Sequence, residues 1–239
     1  MDTQSPAQDA PNSFASVAII DLECTCDDDQ NFGPHEIIEI GAVIGTLSQE
    51  SFKVTSELQI YVKPVINPVL TKFCTELTGI TQSTADAAIT LENALVALES
   101  WLQTINVVAW ASWGKFDANQ FSRECDLKAL SNPMVGIQHL NIKQLFARKF
   151  GHRVGLERAL KLRGLTFAGC PHSGIDDARN LAALLTQEVS LREAILKRSS
   201  AHINLDKTQP INVELVNRIK SLVASVEVHL NAPSSEEDE

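Results

Sequence analysis

Aromatic residues are scarce in this 239-residue chain, at 5% with a single tyrosine. Val, Ile, Leu and Ala must then supply the core, as suits an α/β protein. Cysteine is sparse too: the five residues at 24, 26, 74, 125 and 170 are odd in number and form no C-x-x-C pair. A disulfide framework is therefore excluded, and Cys24-Thr25-Cys26 lacks the further ligands that a zinc site needs. Reduced, mostly buried thiols and a cytoplasmic location are the expectation. No run approaches the roughly 20 apolar residues of a membrane span. Met1 to Ser13 is polar, holds two prolines and has no apolar stretch, so residues 1–14 are expected to be a disordered leader and not a signal peptide.

Positive charge is also in short supply, with 20 Lys and Arg against 30 Asp and Glu, a net charge of −10. At first sight that weighs against a nucleic-acid partner. The distribution softens the objection. Asp2 and Asp9 lie in the leader, and Glu236, Glu237, Asp238 and Glu239 end the chain. Lys143 to Arg163 is locally basic, with Lys143, Arg148, Lys149, Arg153, Arg158, Lys161 and Arg163 against Glu157 alone. Such a stretch is either a solvated helical face or a surface that tracks phosphates.

What the chain does have is 44% hydrophobic content in periodic segments, enough for one full core. Val17–Glu23 reads as a buried strand. Residues 36–44 and 57–62 complete an antiparallel meander with it. Residues 94–102 carry Leu95, Leu98 and Leu102 at helical spacing. A strand over 107–111, a helix over 117–130 and a weaker strand over 136–140 follow. Helices over 142–150, 156–162 and 176–189 close the domain. The pattern predicts a mixed β-sheet flanked by helices on both faces. The expected organisation is a folded domain over 15–190, a helical extension over 191–231 and an acidic tail over 232–239. Within the extension, 204–210 resembles a linker, and 213–230 has an apolar stripe fit to dock on its own domain.

Five side chains in this pattern point to chemistry. Asp21 and Glu23 end an apolar strand two residues apart, so both project to one side. Carboxylates have no packing role there, and burying them is costly without a cation. Asp117 shares a helical face with Phe121 and Cys125 and should point inward. At 100° per residue Asp177 lies with Leu181, Leu184 and Leu185, whereas Asp176 lies with Asn180 and Ala183 and is placed to stabilise the helix N-terminus. His172 falls in the preceding loop, where Gly174 would permit a turn, and an imidazole titrating near neutrality suits a general base. Oxygen ligands favour Mg2+ or Mn2+ over zinc. Two such ions about 3.5–4 Å apart could orient water and stabilise a leaving oxygen in phosphodiester hydrolysis. A glycosidase would use only two of the acids. Between strand and Asp117, Trp113 suits core packing and Phe116 suits stacking on a base.

The order Asp21-x-Glu23, Asp117 and His172-x-x-x-x-Asp177 resembles the DEDDh group of DnaQ-like 3′-to-5′ exonucleases, over about residues 16–190. Residues 73–81 (FCTELTGIT), 171–177 (PHSGIDD) and 21–26 (DLECTC) resemble, more specifically, the enhanced-RNAi-like exoribonucleases that trim histone-mRNA stem-loops, small RNAs and ribosomal RNA ends. The resemblance implies a ribonuclease-H-like fold. It implies two Mg2+ ions, with Mn2+ able to substitute, held by Asp21, Glu23, Asp117 and Asp177, and His172 as general base. It also implies that Leu22, Thr25, Thr78, Gly79 and Ile80 contact the terminal nucleotide. The expected substrate is the single-stranded 3′ end of RNA. A DNA exonuclease of the repair or proofreading type is the alternative, decided by recognition of the 2′-hydroxyl. A catalytically dead nucleic-acid-binding module is a third reading, disfavoured because all five catalytic positions are filled.

Overall fold

A computed structural model of the protein describes residues 15–29 and 32–199. The expected leader, the 204–210 linker, the 213–230 helix and the acidic tail lie outside the described residues.

Three strands form the meander: β1 (Ala15–Cys24), β2 (Ile37–Leu47) and β3 (Phe52–Tyr61). They are followed by α1 (Lys72–Thr78), α2 (Gln82–Ala87), α3 (Leu91–Gln103), β4 (Ala109–Ser112) and α4 (Phe116–Lys128). The remaining elements are β5 (Gln138–Asn141), α5 (Ile142–Phe150), α6 (Leu156–Leu162), α7 (Gly174–Gln187) and α8 (Val189–Ser199). The sheet order is β3-β2-β1-β4-β5, antiparallel across the first three strands and parallel from β1 to β4 to β5.

Strand alternation divides the interior into two layers. Val17 and Ile19 face a core shared with α5, α6, α7 and α8. Ala18, Ile20, Leu22 and Cys24 face another, filled by α3 and α4 through Leu95, Leu98, Phe121 and Cys125. This is the expected mixed sheet with helices on both faces. Asp21 and Glu23 continue the odd-numbered register toward the α7 layer, while α4 belongs to the opposite one.

Two short helices were not foreseen. Thr71 and Thr81 cap α1 and α2, each hydroxyl accepting an N–H three residues on, and Gly79 ends α1 in the left-handed region. The fold also continues past residue 190. Leu191, Ile195 and Leu196 of α8 join the first core, and Arg192 is only 2% exposed. Its guanidinium donates to the carbonyls of Gln49, Glu50, Leu185 and Thr186, clamping the end of α7 to the β2–β3 turn.

Candidate active site

The parallel strands β1, β4 and β5 end at one edge of the sheet, the usual place for ligands in such sheets. Asp21 and Glu23 stand at that edge of β1, paired across to Gly41 and Glu39 of β2. Carboxylate oxygens of Asp21, Glu23 and Asp177 all lie within 4.8 Å of one another. Asp117 flanks this trio from the other layer. It is buried at the first turn of α4, and its Oδ1 accepts the Leu22 N–H, between the two β1 acids, at 3.1 Å.

The trio meets with no cationic partner among the described ion pairs, and its protonation reflects that. Burial, then the charges of Asp117, Asp177, Glu23 and Glu39, push Asp21 well above the ordinary carboxylate range. Burial, with Glu39 next, raises Glu23 to about 9. Asp177 is raised to about 6, chiefly by burial, against the lowering effect of the His172 N–H. Carboxylates crowded and desolvated in this way favour either a proton or a multivalent cation. An all-oxygen donor set fits Mg2+ or Mn2+.

His172 is exposed in the loop before α7. The turn is made by His172 itself, at φ 64°, and not by Gly174 as the sequence suggested. Its N–H donates to Asp177 Oδ2 at 2.9 Å, so the base candidate and an acid of the trio are bound together. Gly174 instead allows close approach. It opens α7 with its Cα against the sheet, where an added Cβ would come 3.0 Å from the Asp21 carbonyl oxygen and 3.2 Å from the Gly41 nitrogen. A Cβ at Gly41 would overlap the backbone of Gly174 and Ile175. The two glycines let helix and sheet backbones touch beside the acids.

Asp176 does more than the sequence suggested. It sits in the first turn of α7 as expected, and its carboxylate also accepts the Cys170 N–H at 2.9 Å and pairs with Arg179 at 3.1 Å, tying down the loop before the helix. The N-terminus is capped by Glu39, which sequence reasoning missed. Glu39, 1% exposed, accepts the Gly174 N–H at 3.1 Å, the Ile175 N–H at 3.2 Å and the Gln59 amide at 2.9 Å. Both its oxygens are thereby turned toward donors, which accounts for its absence from the trio although it stands opposite Glu23. The available signal was a charge inside an otherwise apolar strand, in the run EIIEIGAVI.

The residues expected at the nucleotide differ in access. Phe116 is 47% exposed beside Asp117, on a groove it shares with His35, Asn119 and Arg123. Gly79 is exposed at the end of α1. Leu22, Thr25, Thr78 and Ile80 are buried. The Thr25 hydroxyl accepts the Glu36 N–H at 2.9 Å, and the Thr78 hydroxyl bridges Cys74 O and Ile80 N, so both side chains brace the loops around the site. Trp113 packs as expected, edge-on to Phe146, with its indole N–H on Val154 O at 3.2 Å.

Residues 18–185 match the exonuclease (RNase T) family model. The 3′-5′ exonuclease Snipper of Drosophila melanogaster is 31% identical over 202 residues, covering 75% of this chain and 71% of Snipper. ERI1 exoribonuclease 2 of Xenopus laevis is 31% identical over 198 residues, covering 74% of this chain but only 28% of that relative. The chain thus spans about a third or less of the ERI1 exoribonuclease 2 relatives it matches. Among solved structures, the nuclease domain of 3′hExo, a DEDDh family member bound to rAMP, superposes with a TM-score of 0.66 at 27% identity, over 78% of this chain and 94% of that one. With a ribonuclease-H-like sheet, an acidic trio at its edge and a matching family model over most of its length, the chain belongs to the RNase T exonuclease family.

Proposed function

We propose that this chain is a metal-dependent 3′-to-5′ exoribonuclease that releases nucleoside 5′-monophosphates from RNA. The observation that carries the reading is the meeting of Asp21, Glu23 and Asp177 within 4.8 Å without a cationic partner among the described residues, next to Asp117 and His172. Asp21, Glu23, Asp117 and Asp177 would hold two Mg2+ ions. Bound there, such ions lower the pKa of water and stabilise charge on the phosphate oxygens. His172 would accept the proton of the attacking water, held over the cleft by its own backbone bond to Asp177. Phe116 would stack on the terminal base and Gly79 would approach the ribose through its backbone, with buried Leu22, Thr25, Thr78 and Ile80 shaping the floor. Support for RNA comes from relatives named as exoribonucleases and from a solved relative, 28% identical, described as recognising the histone mRNA stem-loop at its 3′ end.

Incubation with 5′-labelled single-stranded RNA and Mg2+ should give a ladder shortening from the 3′ end. A matched DNA oligomer should be cut more slowly. Preference for DNA would overturn the choice of substrate, and inertness on both with Mg2+ and Mn2+ would overturn the enzymatic reading.

A further inference from the structure

The basic segment 143–163 is carried on α5, α6 and the loop between them, and most of its cations are exposed. Arg148 and Lys149 are exposed in the last turn of α5, Arg153 in the loop that follows, and Arg158 and Lys161 on one face of α6. Lys143 opens α5 directly after β5, whose end lies at the same sheet edge as the acids. Of these cations, Arg163 alone is neutralised among the described residues, by Glu188 at 2.7 Å, with its guanidinium 4.4 Å from the Phe150 ring centre. No ion pair among the described residues reaches Lys143, Arg148, Lys149, Arg153, Arg158 or Lys161. Helix dipoles account for part of this pattern, since Arg148, Lys149 and Lys161 sit in final turns. They do not account for Lys143, Arg153 or Arg158, nor for the concentration of unneutralised cations in a chain of net charge −10.

This segment is joined to the site. The Trp113 N–H on Val154 O fixes the 151–155 loop to the loop that delivers Phe116 and Asp117, and the Trp113 ring is wedged against Phe146 of α5. The segment that carries these cations is thus packed against the loop leading to the acids. A polyanion is what such a surface attracts, through release of counterions.

We propose that the surface formed by α5, the 151–155 loop and α6 binds the phosphate backbone of the RNA strand upstream of its 3′ end. It would hold long substrates while leaving cleavage chemistry alone. The proposal rests on the exoribonuclease reading. The occupant is taken as nucleic acid, and not an acidic protein, because Trp113 ties this segment to the loop that leads into Phe116 and Asp117.

The test compares wild type with an Arg148→Gln/Lys149→Gln/Arg153→Gln variant on a single-stranded RNA of roughly 20 nucleotides and on a trinucleotide, at several salt concentrations. kcat/KM on the long RNA should fall about tenfold or more, and the trinucleotide should be cleaved within about twofold of wild type. The salt dependence on long RNA should flatten by about two in log–log slope, near 0.7 for each lost contact. A second variant, Arg158→Gln/Lys161→Gln, should shift the same ratio in the same direction, so that a folding defect in one does not decide the matter. An unchanged long-to-short ratio with an unchanged salt slope would overturn the proposal, as would an equal loss on both substrates. An acidic protein as the true occupant would give the first of those outcomes. If wild type cleaves neither RNA, the exoribonuclease reading fails, whereas trinucleotide cleavage with no length effect sinks this proposal alone.

Discussion

Two groups of acids stand on either side of the same loop, and the protein treats them in opposite ways. Glu36 accepts the N–H groups of Val65, Ile66 and Asn67 at 2.7–2.9 Å and pairs with Lys128 at 2.8 Å. Glu124 shares that lysine and accepts the Ile37 N–H and the Gln120 amide. Burial works to raise Glu36, yet Lys128 and the amides of Asn67 and Val65 hold it below the ordinary carboxylate range. In the other group Glu23 is buried, Asp21 and Asp177 are half-buried, and no such cation pairs with them among the described residues. One cluster is completed by the chain and ties the β1–β2 loop to α4. The other is left incomplete, and its unmet charge is the signature of a site that takes a ligand.

Removing one member of the incomplete cluster should therefore cost function and spare the fold. Asp21→Asn should lower exonuclease activity by about 10³-fold or more, through loss of a metal ligand. Its thermal midpoint in EDTA should equal or exceed wild type, because a like charge has gone. Full activity would refute the ligand assignment.

The converse change belongs to the complete cluster. Lys128→Met strands Glu36 and Glu124, and should destabilise the fold by about 3 kcal/mol in denaturant titration, with unchanged activity per folded molecule. A loss of activity at intact stability would erase the distinction between the clusters.

Within the site, His172→Ala should slow cleavage by about 10²-fold with Mn2+ affinity preserved by calorimetry. Glu39→Ala removes the cap that seats α7, and should weaken Mn2+ binding by about tenfold, with partial recovery in Glu39→Gln. A lowered thermal midpoint with wild-type Mn2+ affinity would reduce Glu39 to a structural role.

The smallest effect is on pH dependence. The folded-state pKa values of Asp177 and Glu23 are raised, to about 6 and about 9. The folded state thus binds more protons than the unfolded state, and stability falls as pH rises from the ordinary carboxylate range toward about 9. Metal-free protein should lose thermal stability across that window, and added Mg2+ should restore it most at the alkaline end. A flat profile in EDTA would mean the acids are not crowded in solution.

Much of this was legible in the chain because it follows from periodicity. Strand alternation placed Asp21 and Glu23 together, helix phase separated Asp177 from Asp176, and the bounds of α5 and α6 match the glycine-punctuated segments. Elements without that signal were lost. Helices α1 and α2 have seven and six residues, too few to show a period, and were announced only by their threonine caps. Strand β3 begins at Phe52, five residues before its expected start, since Lys53, Val54 and Thr55 are exposed on an outer strand. In α8 a buried arginine interrupts the apolar stripe, and its carbonyl partners cannot be read from sequence. Glu39 was missed for a related reason: its partners are backbone amides 135 and 136 residues away.

The Gly41–Gly174 contact sets how much play the site has. Side-chain interfaces can slip by changing rotamers, but two touching backbones have no rotamers to change. Helix α7 therefore has one seat on the sheet, and no graded series of near-seats in which Asp177 drifts from Asp21. Heating should thus switch the enzyme off in step with loss of structure, with no folded but sluggish form along the way.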